Sequence, residues 1–152
     1  MSKAGFGIAA IFSVGLVLAV AYFLSRDEIP PSHSMAPPDL SEVEPGGPIV
    51  AVALPDTLSS EAQIGQRVFE TACAACHGVN AVGQNGVAPP LVHRTYEPSH
   101  HSDQSFLMAT QNGVRAHHWN FGNMPAIDGL TNADVRAIIR YIRELQRENG
   151  IE

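Results

Sequence analysis

A chain of 152 residues is long enough for one domain with accessory segments. Its 15 acidic against 9 basic residues leave a formal net charge of −6, which argues against a nucleic-acid partner. The only two cysteines stand three positions apart, so no disulfide can tie distant segments together.

The first feature in chain order is the uncharged run Gly5 to Leu24, GFGIAAIFSVGLVLAVAYFL. At about 1.5 Å per residue, twenty helical residues just cross a hydrocarbon core of about 30 Å. Lys3 precedes the run and Arg26 follows it, so flanking charge gives little orientation. A cleaved signal peptide competes with this reading, because Ala19-Val20-Ala21 has the A-x-A form. That triplet lies inside the run, however, with Tyr22-Phe23-Leu24 still to come, and the run exceeds an ordinary signal core. An uncleaved single-pass anchor over residues 1–25 is expected.

Composition then shifts. Seven prolines fall between Pro30 and Pro55, with Gly46-Gly47 among them and six acids from Asp27 to Asp56. Such a stretch buries too little apolar surface to fold alone, and proline favours extended backbone. Residues 26–57 are therefore expected to be an acidic linker. Thirty residues at about 3.1 Å each would reach on the order of 90 Å, or roughly 30 Å as a coil. Ile49 to Leu54 is apolar enough to pack on the domain or add a short strand.

From residue 58 the pattern becomes helical. Thr57 or Ser59 can cap a helix running towards the cysteines, with Ile64, Val68 and Thr71-Ala72 at the spacing of a buried face. Gly65 on that helix costs about 1 kcal/mol relative to alanine, which close approach of another helix would explain. Then comes Cys73-Ala74-Ala75-Cys76-His77, the C-x-x-C-H pattern of c-type haem attachment. Two thiols on one turn can add to the two vinyl groups of a haem edge, and the adjacent imidazole can ligate the iron. A Cys73–Cys76 disulfide or half a zinc site would use the same cysteines. Zinc, though, wants four ligands, usually from paired motifs, and no second pair exists. A thioredoxin-like motif needs a βαβ context that these residues do not provide. Covalent haem would replace disulfides as the staple of a small core. Because haem is attached outside the cytoplasm in bacteria, the motif also places the domain in the periplasm and the N-terminus inside.

Residues 78–91 read as a glycine-rich loop with an abrupt proline pair, Pro89-Pro90. Ser102 or Asp103 can open a short helix closed by Asn112-Gly113, with Met108 expected in its packing face. Residues 114–129 form a second loop, in which Met124 stands between Gly122-Asn123 and Pro125. Helix periodicity does not account for a methionine there. Thr131 to Asp134 opens a last helix as a capping box. Val135, Ile138, Ile139, Ile142 and Leu145 form its apolar stripe, with Arg136, Arg140, Arg143 and Arg147 expected largely outward.

Taken together, Gly65-x-x-x-Phe69-x-x-x-Cys73-x-x-Cys76-His77-Gly78, the A-P-P-L at residues 88–91 and the G-N-M-P at 122–125 resemble the class I cytochrome c family. The resemblance covers about residues 58–149 and implies an all-α fold of three to four helices around one covalent haem c. It makes Cys73 and Cys76 the attachment residues and His77 and Met124 the axial iron ligands. It gives the Pro89 carbonyl to the proximal imidazole, sets Trp119 near the haem propionates, and has Gly65 meet the last helix near Tyr141. With an N-terminal anchor and a proline-rich linker, the chain is also similar to membrane-bound cytochromes c of proteobacterial respiratory and photosynthetic chains.

That resemblance implies a membrane-tethered electron carrier of the bacterial inner membrane, exchanging electrons with a quinol-oxidising complex and a terminal oxidase or reductase. A fixed subunit of such a complex, or a haem enzyme or sensor with a labile sixth ligand, remains open on the residues. Residues 58–152 carry seven arginines and nine acids, so no basic patch dominates docking. The histidines exceed what a carrier needs: His93, His100, His101, His117 and His118 gather between the two ligand regions. They read as surface or propionate-bonding groups, as a second metal site such as copper, or, for His117 or His118, as a substitute for Met124 on the iron.

Overall fold

The computed structural model describes residues 35–152. Both the apolar run at residues 5–24 and the first part of the acidic linker lie outside them. Among the described residues no helix is long and apolar enough to cross a membrane. The domain is all-helical: α1 (Ser60–Ala72), α2 (Ala74–His77), α3 (Asp103–Asn112) and α4 (Asn132–Glu148), with 3₁₀ turns at Val79–Ala81 and Arg94–Tyr96. Within the described residues β-pairing is limited to two isolated bridges, Gln84 with Ala88 and Val114 with Met124.

Helix α1 starts where Ser59 Oγ accepts the Ala62 N–H. Its buried face is Ala62, Gly65 and Phe69, whereas Ile64 is 48% exposed. The buried stripe thus lies one position away from the expected one. The cause is Gly65, which must face α4: a Cβ there would lie 1.8 Å from the Ala137 carbonyl oxygen. The crossing is at Ala137–Ile138, one turn before Tyr141, whose ring packs on Phe69 with centroids 5.7 Å apart.

Helix α4 opens with the full capping box, Thr131 and Asp134 each bonding the other's backbone. Val135, Ile138, Ile139, Ile142 and Leu145 are buried, and Arg136, Arg140 and Arg147 are exposed. Arg143 is not outward. Its side chain is 8% exposed, donating to Asp103 Oδ1, the Tyr96 and His101 carbonyls and Gln146 Oε1 at 2.6–2.9 Å. Gln146, fully buried, donates in turn to the Leu91 and Tyr96 carbonyls. Arg143 lies four residues after Ile139 and three before Gln146, on one helix face, and its five N–H groups reach carbonyls of the 96–101 loop that the loop's own backbone bonds leave open. Met108, expected to pack inside α3, is 48% exposed.

The acidic segment is not free over its described part. Ile49 and Val50 donate to the Val82 carbonyl, residues 46–47 exchange backbone bonds with Asn85, and Ala53 exchanges two with the Asn149 side chain. Val52 packs against the core, and Met35 O accepts from the buried Thr95 hydroxyl. The segment becomes a strap because each point finds a loop or helix-end partner for its backbone, which composition alone does not reveal. No strand forms at residues 49–54.

Candidate haem site

Helix α1 ends at Cys73, whose φ of −123° breaks the helix so that α2 can turn the second thiol and His77. Cys73 and Cys76 form no disulfide with each other, Cys73 being half-buried and Cys76 exposed. Burial, with Cys76 close by, pushes the Cys73 thiol up to about 11. Gly78, at φ 74°, then reverses the chain in a conformation that side chains disfavour.

The loop after His77 folds back on it. Gly83 N–H donates to the His77 carbonyl at 2.7 Å, and the Gln84–Ala88 pair closes a tight turn. A Cβ at Gly83 would sit 2.5 Å from Pro90 N, so only glycine lets the proline pair approach. Gln84 Nε2 reaches the Ala74 and Ala75 carbonyls and ties the turn to the attachment helix. The result sets His77 Nδ1 2.9 Å from the Pro89 carbonyl. A carbonyl only accepts, so Nδ1 carries the proton and Nε2 keeps its lone pair. His77 is buried, which lowers its pKa, with the Pro89 bond partly offsetting the effect. The imidazole is held neutral, oriented and ready to ligate.

Met124 is placed by the second loop. Val114 and Met124 exchange both backbone hydrogen bonds, at 2.9 and 3.0 Å. Gly113, at φ 72°, would strike the Met124 carbonyl with a Cβ at 2.6 Å, so α3 must end there. Asn123 Oδ1 accepts the Ala116 N–H and braces the loop internally. Met124 is half-buried. Trp119, near the middle of the same loop, is 6% exposed, stacked on Phe121 and edge-on to His93. Among the described residues its Nε1–H is the buried side-chain donor without a hydrogen bond. The Tyr96 hydroxyl is close enough to feel the indole, yet not in bonding geometry; burial pushes that phenol up, and Trp119 lowers it in part.

Four further imidazoles collect beside this loop. His100 Nε2 and His118 Nε2 are 3.2 Å apart, and His101 Nδ1 donates to the Thr95 carbonyl at 2.5 Å. His117 stacks on His101 and lies against His118. Burial, and then the neighbouring imidazoles, lower the His118 pKa; burial also lowers that of His101, against the Thr95 bond. His93 accepts the Thr95 N–H on Nδ1, and burial lowers its pKa. A groove of about 350 Å³ between residues 54–58 and Gln63, Tyr141 and Leu145 includes none of the expected site residues.

The cytochrome c family model matches residues 62–146. The chain belongs to the cytochrome c family. No curated protein and no solved structure matches it. The family carries covalently attached haem c, and Cys73 and Cys76 lie within the matched region in the C-x-x-C-H pattern. The residues present fit that group: two cysteines three positions apart with no disulfide between them, a buried imidazole whose Nδ1 is bonded so that Nε2 is left to ligate, and an orphaned indole N–H suited to a haem carboxylate. A haem-based electron-transfer role and redox partners in general come with the family. Arg143 and Gln146, which hold the backbone carbonyls of residues 91, 96 and 101, were not anticipated as site-positioning residues.

Proposed function

We propose that this protein is a mono-haem cytochrome c that carries single electrons, with His77 and Met124 as the axial ligands. The observation that carries the reading is the His77–Pro89 hydrogen bond, which fixes the tautomer a proximal ligand needs. Bound haem supplies a one-electron couple, and thioether ligation favours its ferrous state and raises its potential. The protein's part would be to supply two ligands to the iron, the His77 imidazole and the Met124 thioether, each carried on a backbone-anchored loop. Pro89 orients His77, Trp119 could offer its N–H to a propionate, and the Val114–Met124 bridge holds the backbone that carries the Met124 thioether.

The apolar run at residues 5–24 supports a single-pass anchor in a bacterial inner membrane, with the haem domain in the periplasm. Its partners would be a quinol-oxidising complex as donor and a terminal oxidase or reductase as acceptor. Val79 and Val87, 63% and 45% exposed beside the attachment sequence, offer apolar contact where charge does not dominate.

Optical spectra of the oxidised and reduced protein, with and without carbon monoxide, test the ligation. Wild-type ferric protein should show the weak far-red band of sulfur-to-iron charge transfer and should not bind carbon monoxide when reduced. Met124→Ala should lose the band and gain carbon monoxide binding. Wild-type protein without the band that binds carbon monoxide readily would make it a ligand-binding haem protein instead.

A further inference from the structure

The haem reading leaves the imidazoles at the meeting of the 97–101 turn and the 114–119 loop without a role. One ring nitrogen from each of His100, His101 and His118 lies within 4.8 Å of the others. The His100–His118 pair, at 3.2 Å, already matches the ligand–ligand edge of about 3.3 Å that tetrahedral bonds of about 2.0 Å to nitrogen imply. A square-planar ion would accept a longest separation of about 4.0 Å from the same bond length, within about 0.8 Å of the 4.8 Å limit present. Small side-chain rotations close that difference.

The site is braced on both sides. His101 donates from Nδ1 to the carbonyl of fully buried Thr95, which leaves Nε2 as its free donor atom. The His101 carbonyl is itself held by the buried guanidinium of Arg143 at 2.6 Å. His118 immediately precedes the buried Trp119, whose ring packs against His93 and Phe121. The group contains three imidazoles and neither carboxylate nor thiolate. Such a donor set suits late first-row ions, and among the divalent series copper(II) binds nitrogen ligands most tightly.

We propose that His100, His101 and His118 bind one copper(II) ion at a site separate from the haem iron. The site does not depend on Met124, so its test is read apart from the ligation test.

The experiment adds copper(II) to the full-length ferric holoprotein, followed by calorimetry and by electron paramagnetic resonance at a temperature where the low-spin haem signal is broadened away. The expected result is one saturable equivalent whose copper signal carries superhyperfine splitting from three nitrogens. His100→Gln and His118→Gln should each weaken binding about tenfold or more, with the Soret and far-red haem bands unchanged. His33→Gln, a histidine elsewhere in the chain, should bind as wild type does. Absence of saturable binding, coupling to fewer than three nitrogens, or undiminished affinity in either cluster variant would overturn the proposal. A normal copper site in a protein lacking the far-red band would leave the copper proposal standing and defeat the His77/Met124 ligation.

Discussion

Replacing Gly65 with alanine tests the helix crossing on which the haem site is built. The added Cβ would lie 1.8 Å from the Ala137 oxygen, 2.3 Å from its carbonyl carbon and 2.9 Å from Ile138 N, where ordinary contact begins at 3.4 Å. The obstacle is backbone, so no side-chain rotation relieves it; α1 and α4 must separate by up to 1.6 Å at this point. A gap of only 0.5–1 Å forfeits roughly a quarter to a half of each contact's dispersion energy. The loss falls on Phe69, Ile138, Tyr141 and Ile142, the centre of the core. Overpacking typically costs about 1–3 kcal/mol, and occasionally more, and a backbone clash belongs at or above the upper end. Alanine returns about 1 kcal/mol of helix propensity. The net loss should be about 2–3 kcal/mol, a fall in Tm of roughly 10–20 °C for a domain this size. Thermal unfolding of holoprotein, followed at the Soret band and in the far ultraviolet, reads it directly. Arg67→Ala, on the exposed side of α1, should change stability by less than about 0.5 kcal/mol. If Gly65→Ala were as stable as wild type or more so, propensity would have won and the helices would not touch at Gly65.

Arg143→Met should cost roughly 2–4 kcal/mol in urea unfolding, because the His101 carbonyl and Gln146 Oε1 lose their buried donor. Arg143→Lys should recover less than half of that, since an ammonium cannot reproduce the planar fork. Glu144 accepts from the Ser59 N–H and hydroxyl and from Arg140. Burial alone would raise its pKa, but those bonds outweigh it and the carboxyl sits below its usual 4.5. The folded state therefore binds this proton less readily than the unfolded chain does. Its contribution is complete above pH 4.5 and is lost as pH falls through the lowered value. Glu144→Gln should cost about 1 kcal/mol at pH 7, and the difference from wild type should shrink below pH 4.5 in paired denaturation curves. Trp119→Phe keeps the ring contacts but removes the orphaned N–H. If haem satisfies that donor, the holoprotein should lose about 1 kcal/mol in guanidinium unfolding; a gain in stability would show that the N–H has no partner.

The helices were legible because their signals are local. Ser59, the Thr131–Asp134 box and Gly113 mark α1, α4 and the end of α3 in a few residues each. The attachment sequence was legible because spacing carries it, and the Pro89 contact was implied by the family resemblance of the A-P-P-L segment. What escaped depends on partners distant in the chain. Arg143 looks outward by residue type, yet the carbonyls of Tyr96 and His101, more than 40 residues earlier, draw it in. Ile64 looks buried by periodicity, but the contact through Gly65 turns α1 and exposes it. The proline-rich strap reads as solvated by composition, while Asn85 and Asn149, outside the segment, supply its hydrogen bonds. The histidine cluster was visible as two doublets; their convergence follows only from the folded loops.

The strap also sets how the domain would bear a load. Met35 bonds Thr95, residues 43–50 bond the Val82–Asn85 turn, and Ala53 bonds Asn149. A pull applied at Met35 would load these backbone bonds in turn before it strained α1 or the attachment cysteines. The strap would act as a mechanical fuse, peeling at low force while the helical core stayed shut.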